Sequence, residues 1–271
     1  MTDARVNARG TRGWKSVLAG GVAAGLVLLG ASTAAAQGDP SRLPFAVGEE
    51  LNYTVKVSGV KGSGRATMRV DGPTDVRGTA TWRLSFAVKT RVGFLKAENR
   101  SESWLDPVRM ASLRFQKRER QPLSRHDENV MVYPERREFA VEGGVTGETP
   151  TASPLDELSF IYFLRTLPLE TDSIYRFDRH FDPARNPVEV RVLKRETITV
   201  PAGTFPAVVV EMRVKDPRYG GKPGVLKLHL SDDHCRLPLR IESDVPVAGR
   251  AVMLLESRGT PPVLHLAAEK P

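Results

Sequence analysis

The chain has 271 residues, of which 27% are charged and 7% aromatic, with a formal net charge of +8 and one cysteine, Cys235. A lone cysteine excludes an internal disulfide, so an exported form must be held by its own core. The positive excess is dispersed, and its densest run, Lys117-Arg118-Glu119-Arg120, lacks the aromatic partners of a nucleic-acid site, so no nucleic-acid partner is expected and a solvated strand edge accounts for it.

The first segment reads as a secretory signal. Arg5, Arg9, Arg12 and Lys15 precede an apolar run from Val17 to Leu29 and the small-residue stretch Ala31-Ser32-Thr33-Ala34-Ala35-Ala36-Gln37. A positive start, a short apolar middle and an Ala-x-Ala end specify cleavage near Ala36. The apolar run is shorter than the ~20 residues a spanning helix needs, so no transmembrane span is expected in the mature chain. No cysteine sits at the cleavage point, so a free periplasmic product is expected. Cleavage takes away four cations and Asp3 and leaves a net charge of about +5 on about 235 residues. The expected organisation is a signal over 1–36, a linker over 37–44, one β-rich domain over 45–257 and a flexible tail over 258–271.

Past the linker the hydrophobic period becomes two. Leu51, Tyr53, Val55 and Val57 alternate with polar residues, as do Ala66, Met68 and Val70, and then Trp82, Leu84, Phe86 and Val88. Each segment predicts a strand with one buried and one wetted face. Turn residues join them, among them Gly62-Ser63-Gly64 and Asp71-Gly72-Pro73. Less regular strands are expected at 97–105, 110–117, 129–133 and 136–142, and Gly143–Gly147 reads as a loop.

The stretch from Ser153 to Pro168 predicts the one helix. Ser153 can cap it, Pro154 suits the first position, and Asp156 and Glu157 complement the helix dipole. Pro168 ends it. Phe160–Leu164 is apolar on every side, so the helix should be buried on nearly every side.

Strand patterns resume with Tyr175, Phe177 and Phe181, then Val188, Val190 and Val192, then 196–200. A hairpin is expected at Pro201-Ala202-Gly203-Thr204-Phe205, with glycine supplying positive φ. Val208–Val214, Leu226–Leu230, Leu237–Ile241 and 247–256 complete the series. The expected fold is mainly β: a large antiparallel sheet of about a dozen strands, curled into an open or half barrel around one buried α-helix. Strands before and after the helix could form two related halves.

The order of these signals resembles a family of exported bacterial proteins known only as domain of unknown function 3108. The matching stretches are Phe45–Tyr53, Ser153–Asp156 with Phe163-Leu164-Arg165, Val200–Phe205, and Leu230–Asp233 with Arg236-Leu237-Pro238. The family carries no established activity, so the resemblance implies no catalytic residues. It implies an architecture similar to periplasmic lipoprotein carriers, half-barrels closed by helices.

Several constellations compete for function. His229, Asp233 and His234, with Asp232 and Cys235, have metal-ligand chemistry. His229 falls on the face opposite Leu226, Leu228 and Leu230, so it should point to water, and Asp232-Asp233-His234 reads as a turn; neither metal nor cofactor is expected. His126 and His180 have nearby carboxylates, but strand neighbours do not converge as acid–base pairs must. No Gly-x-Ser-x-Gly, His-Glu-x-x-His or phosphate loop is present. Trp82, Phe86, Trp104, Phe115, Tyr162 and Phe163 serve either as core or, where the helix leaves space, as a ligand groove. The expected function is a non-enzymatic envelope protein that binds an amphiphile, a lipid or a protein partner on the concave face. An envelope hydrolase with an unrecognised site and an outer-membrane β-barrel are the alternatives.

Overall fold

The computed structural model describes residues 38–57, 62–122, 124–215, 223–245 and 249–259. The expected signal segment and nearly all of the expected tail lie outside the described residues. Among the described residues, fourteen strands form one antiparallel sheet. They are β1 (Glu50–Val57), β2 (Gly62–Val76), β3 (Thr79–Val92), β4 (Leu95–Asp106), β5 (Ala111–Gln121), β6 (Ser124–Tyr133), β7 (Glu138–Val141), β8 (Thr146–Glu148), β9 (Ile174–Phe177), β10 (Val188–Val200), β11 (Gly203–Lys215), β12 (Pro223–Ser231), β13 (Pro238–Val245) and β14 (Gly249–Arg258).

The first and last strands pair at the centre of the sheet. From that seam β1 to β8 run outward on one side, and β14 back to β9 on the other, so the two groups flanking the helix in sequence are the two flanks in space. The outermost strands, β8 and β9, do not pair, and the barrel stays open. An extended strap spans part of the gap. The Pro154 carbonyl accepts from the Ser112 N–H of β5 at 2.8 Å, and Leu155 donates to the Arg179 carbonyl at 2.6 Å and accepts from the Phe181 N–H at 2.9 Å. Phe181, just past β9, then meets Phe139 of β7 ring to ring at 5.3 Å.

The period-two pattern has the physical consequence expected of it. Leu51, Tyr53 and Val55 are buried, as are Ala66, Met68, Val70 and Leu84, and across the seam Leu255, Met253, Ile241, Leu228 and Val210. Their alternates carry the ion pairs of the outer face, such as Arg69–Glu50, Arg65–Glu256 and Arg213–Glu211. Gly203 takes φ 135° at the β10–β11 turn, the conformation for which a glycine was expected there.

The sheet packs around α1 (Glu157–Leu164), the one α-helix among the described residues. Leu158, Ser159, Phe160, Tyr162, Phe163 and Leu164 are buried in it. No described helix is long and apolar enough to cross a membrane. The helix begins later and ends earlier than its sequence signals suggested. Pro154 and Leu155 spend their backbone groups on the strap, so the chain stays extended until Asp156, which caps the helix in place of Ser153. Asp156 accepts from the N–H groups of Leu158 and Ser159, both at 2.9 Å, and Ser159 Oγ accepts in return from the Asp156 N–H.

Three other expectations are corrected. Gly143–Gly147 is not all loop, because Thr146–Glu148 pairs with β7. Lys117–Arg120 is not a sheet edge, because β5 lies between β4 and β6. His229 faces away from the core but not into water: it is 6% exposed, wedged between Glu196 at 3.0 Å and Glu242 at 3.4 Å.

Candidate functional site

The concave face has two ends of different character. At the helix end it is filled. Phe45 stacks edge-on against Trp82 and Tyr162, with ring centroids 5.9 and 4.9 Å apart. Phe160, Phe163 and Phe177 make a second aromatic set at 5.1–6.0 Å. Two polar anchors hold the helix in this apolar setting. At its start, Asp156 is fully buried and accepts from Ser103 Oγ of β4 at 2.5 Å. Burial raises its carboxyl to about 6, against the lowering effect of the hydroxyl and backbone hydrogen bonds.

At the other end, Arg165 has no side-chain exposure. It grips Glu49 with two nitrogens at 2.7 and 2.8 Å and donates to the carbonyls of Pro44 and Cys235 at 2.8 and 2.9 Å. Burial works against this charge, and the hydrogen bonds to Glu49 more than restore it. The guanidinium also lies 5.3 Å from the Phe45 ring and 5.4 Å from that of Tyr162. Cys235 thus contributes its backbone, not its thiol.

Away from the helix the same face opens. Along β3 the inward residues pass from buried Leu84 to half-buried Phe86, Val88 and Thr90. β12 repeats this from Leu230 and Leu228 to Leu226, β11 from Met212 to Val214, and β14 from Met253 to Ala251. The result is a mouth in the curled sheet. Its wall is mostly apolar on β1–β3 and β11–β14, interrupted by Thr90 of β3 and by Ser243 of β13, which lies between Leu226 and Ala251. On β4–β6 it is polar, because the row through Phe86 continues into Ser101, Lys117 and Glu128. The next row continues from Val88 into Asn99, Glu119 and His126.

Behind this polar wall sits the first helical residue, Glu157, paired with Arg185 at 3.0 Å. Burial opposes its charge, yet its cationic surroundings, His180 when protonated together with Lys117 and Arg185, hold the carboxyl below its ordinary value. Glu128 is displaced the other way, by burial and then by the charge of Glu157. His180 is 1% exposed, and burial lowers it to about 4, so it is neutral at pH 7. Its Nδ1 accepts from the Asp182 N–H at 3.1 Å, which leaves the proton on Nε2. That Nε2 and Glu157 Oε2 are buried with no hydrogen-bond partner among the described residues.

Of the six aromatics expected to line a groove, five lie on the concave side. Phe115 is fully buried, Tyr162 and Phe163 belong to the helix plug, Trp82 packs on Phe45, and Phe86 alone reaches the mouth. Trp104 does not share their face. It packs on the outside with Val76 and Leu113, under the Arg114 guanidinium. The potential metal ligands do not converge. Asp233 accepts from Ser231 Oγ and from the N–H groups of Cys235 and Arg236, which makes it a turn, and His234 is exposed.

A further hollow of about 400 Å3 lies on the outer face of β4–β6, where Arg118 and Asp127 approach to 3.8 Å and Asn129 donates to Glu142 at 2.6 Å. Its polar groups satisfy one another. Sequence reasoning missed the polar wall and the Arg165–Glu49 lock. Lys117, Glu128, Glu157 and Arg185 are far apart in the chain and look like surface charges. The only available signal was Arg165, a lone cation directly after five apolar residues.

The family pattern described as "Protein of unknown function (DUF3108)" matches residues 52–256. No curated protein matches the chain. Among solved structures, it is similar to a beta-barrel-like protein of domain of unknown function DUF1849 from Brucella abortus, at 12% identity and TM-score 0.53. That likeness covers 78% of this chain and 96% of the other, and shows a common fold. A YmcC-like protein from Bacteroides fragilis, 13% identical over 80% of this chain and 98% of its own, overlays at TM-score 0.32, too low to argue from.

Proposed function

From the premise that the chain belongs to the DUF3108 family, whose function is unknown, we propose that it is a non-enzymatic exported protein of the cell envelope. It holds an amphiphile in the mouth of its curled sheet. The observation that carries this reading is the change along the concave face. Apolar side chains that are sealed near the helix become half-exposed toward the other end, opposite a wall of Ser101, Lys117 and Glu128. A hydrocarbon chain is suited to the first surface and a polar headgroup to the second. The signal-like residues 1–36 support export.

An outer-membrane barrel requires an apolar band facing lipid. Here the outward rows carry charge, as in Arg83–Asp71, Arg100–Glu102, Arg191–Glu189 and Arg240–Glu242. That arrangement favours water outside and apolar material inside.

The test uses the full chain, recovered after export and titrated with a naphthalene dye that fluoresces in apolar surroundings. Saturable binding that a lysophospholipid displaces is expected. Val88→Asp puts a charge on the apolar wall and should weaken binding by about tenfold, roughly 1.4 kcal/mol. If no dye binds and native mass spectrometry finds no co-purifying amphiphile, the reading is wrong.

A further inference from the structure

Phe94 is the most exposed large apolar side chain among the described residues, at 91%, and its neighbour Leu95 is 43% exposed. Both stand at the tip of the β3–β4 hairpin, which Gly93 turns with φ 59°. The tip lies at the open end of the concave face, because the inward residues of β3 pass from buried Leu84 to half-buried Phe86, Val88 and Thr90 in its direction.

The same end is ringed by cations. Arg91 and Lys96 face each other across the hairpin, one pair short of its tip. Arg125 is the second residue of β6 at the β5–β6 hairpin, Lys56 lies next to the end of β1, and Lys215 ends β11. All five are exposed, and none forms an ion pair among the described residues. The nearby acid Glu98 is already matched with Lys89 at 3.4 Å.

We infer that this rim docks the mouth onto an anionic membrane surface, with Phe94 and Leu95 entering the interface and the five cations facing lipid headgroups. An exposed aromatic at a hairpin tip has no folding role, and leaving it in water is unfavourable. Aromatic rings are at home at the headgroup level, and unpaired cations beside them are drawn to anionic lipid. Neither feature alone specifies a bilayer. Together, on one end of the molecule, they match its apolar and anionic layers. The inference rests on the amphiphile reading in one respect: docking at this end brings the mouth to the surface from which a lipid would be loaded or delivered.

The test is co-sedimentation of the full chain with phosphatidylcholine vesicles, with and without phosphatidylglycerol. Binding is expected only with phosphatidylglycerol, and it should weaken as salt is added. Phe94→Ser should lower the partition coefficient by about tenfold, and Lys96→Ala by about fivefold, the share of one cation near an anionic surface. Phe94→Trp should keep binding and shift its emission to the blue on anionic vesicles. A Phe94→Ser partition equal to the parent's, or Trp emission that vesicles leave unchanged, overturns the docking. Circular dichroism melting of each variant separates loss of docking from loss of fold, and the Trp variant reads the contact without removing the ring. Dye binding in solution should be the same for Phe94→Ser and the parent. Docking that fails while dye binding persists therefore overturns this inference and leaves the amphiphile reading standing; lost dye binding with intact docking does the reverse.

Discussion

At the N-cap of the helix a carboxyl group is carried into the core, and not far along the strap an imidazole is buried as well. The two titrate over the same range with opposite consequences for stability. Asp156 is raised from 3.8 to about 6, so the folded protein holds its proton more tightly than the unfolded chain does. Its contribution is greatest in acid and is lost as pH rises through about 6. His180 is lowered from 6.5 to about 4, so the folded protein resists its protonation. Its contribution is full above 6.5 and is lost as pH falls toward about 4. A displacement of about two pH units is worth about 3 kcal/mol. The two groups nearly cancel, and the parent should show little change from these groups in urea-unfolding free energy between pH 4 and 6.5. Asp156→Asn, which can still cap, should unmask a rise of about 3 kcal/mol with pH across that window. His180→Gln should unmask a fall of similar size. Parallel profiles for parent and both variants would contradict the assignment. The sequence showed Asp156 as a helix-start residue but not as a buried one, because burial depends on Ser103 and Ser112, which lie more than forty residues away.

The helix is too short to persist alone, and its stability comes from what it plugs into. Its presence was legible from Asp156, Glu157 and the run Phe160–Leu164. Its boundaries were not, since a strap made with β5 and residues 179–181 claimed Pro154 and Leu155 before the helix could. The C-terminal anchor belongs to this scale. Arg165→Met leaves the Glu49 carboxylate facing apolar surroundings without its partner, and should cost about 3–5 kcal/mol. Combining it with Glu49→Gln should cost less than the sum of the two single changes, because the unpaired charge is gone. Denaturant midpoints of the four proteins in a double-mutant cycle give the coupling. Strict additivity would show that the pair does not hold the helix.

Over the whole molecule, one open sheet must keep its flanks together without pairing its last strands. The contact of Phe181 with Phe139 and Phe115, and the hydrogen bonds of Leu155, do this. Phe181→Ala should cost about 3–5 kcal/mol. Hydrogen exchange should show the loss of protection first in β7–β9, while the β1–β14 seam stays protected. Uniform loss across the sheet would mean that the flanks are not closed there. The central seam pairs strands some two hundred residues apart, so assembly of this sheet depends on long-range contacts.

What the sequence determined by itself was local in origin. Period-two alternation produces strands with one wet and one dry face, and proline, glycine and capping residues place the turns and the helix. Those choices need only neighbours along the chain. Only the tertiary structure decided which face Trp104 occupies relative to the helix, that His229 is buried between two glutamates, and that Lys117 and Glu128 form one wall with the Glu157–Arg185 pair behind it. Such outcomes depend on the register between strands and on how far the sheet curls. Both are set by the packing of side chains distant in sequence, which no local pattern encodes.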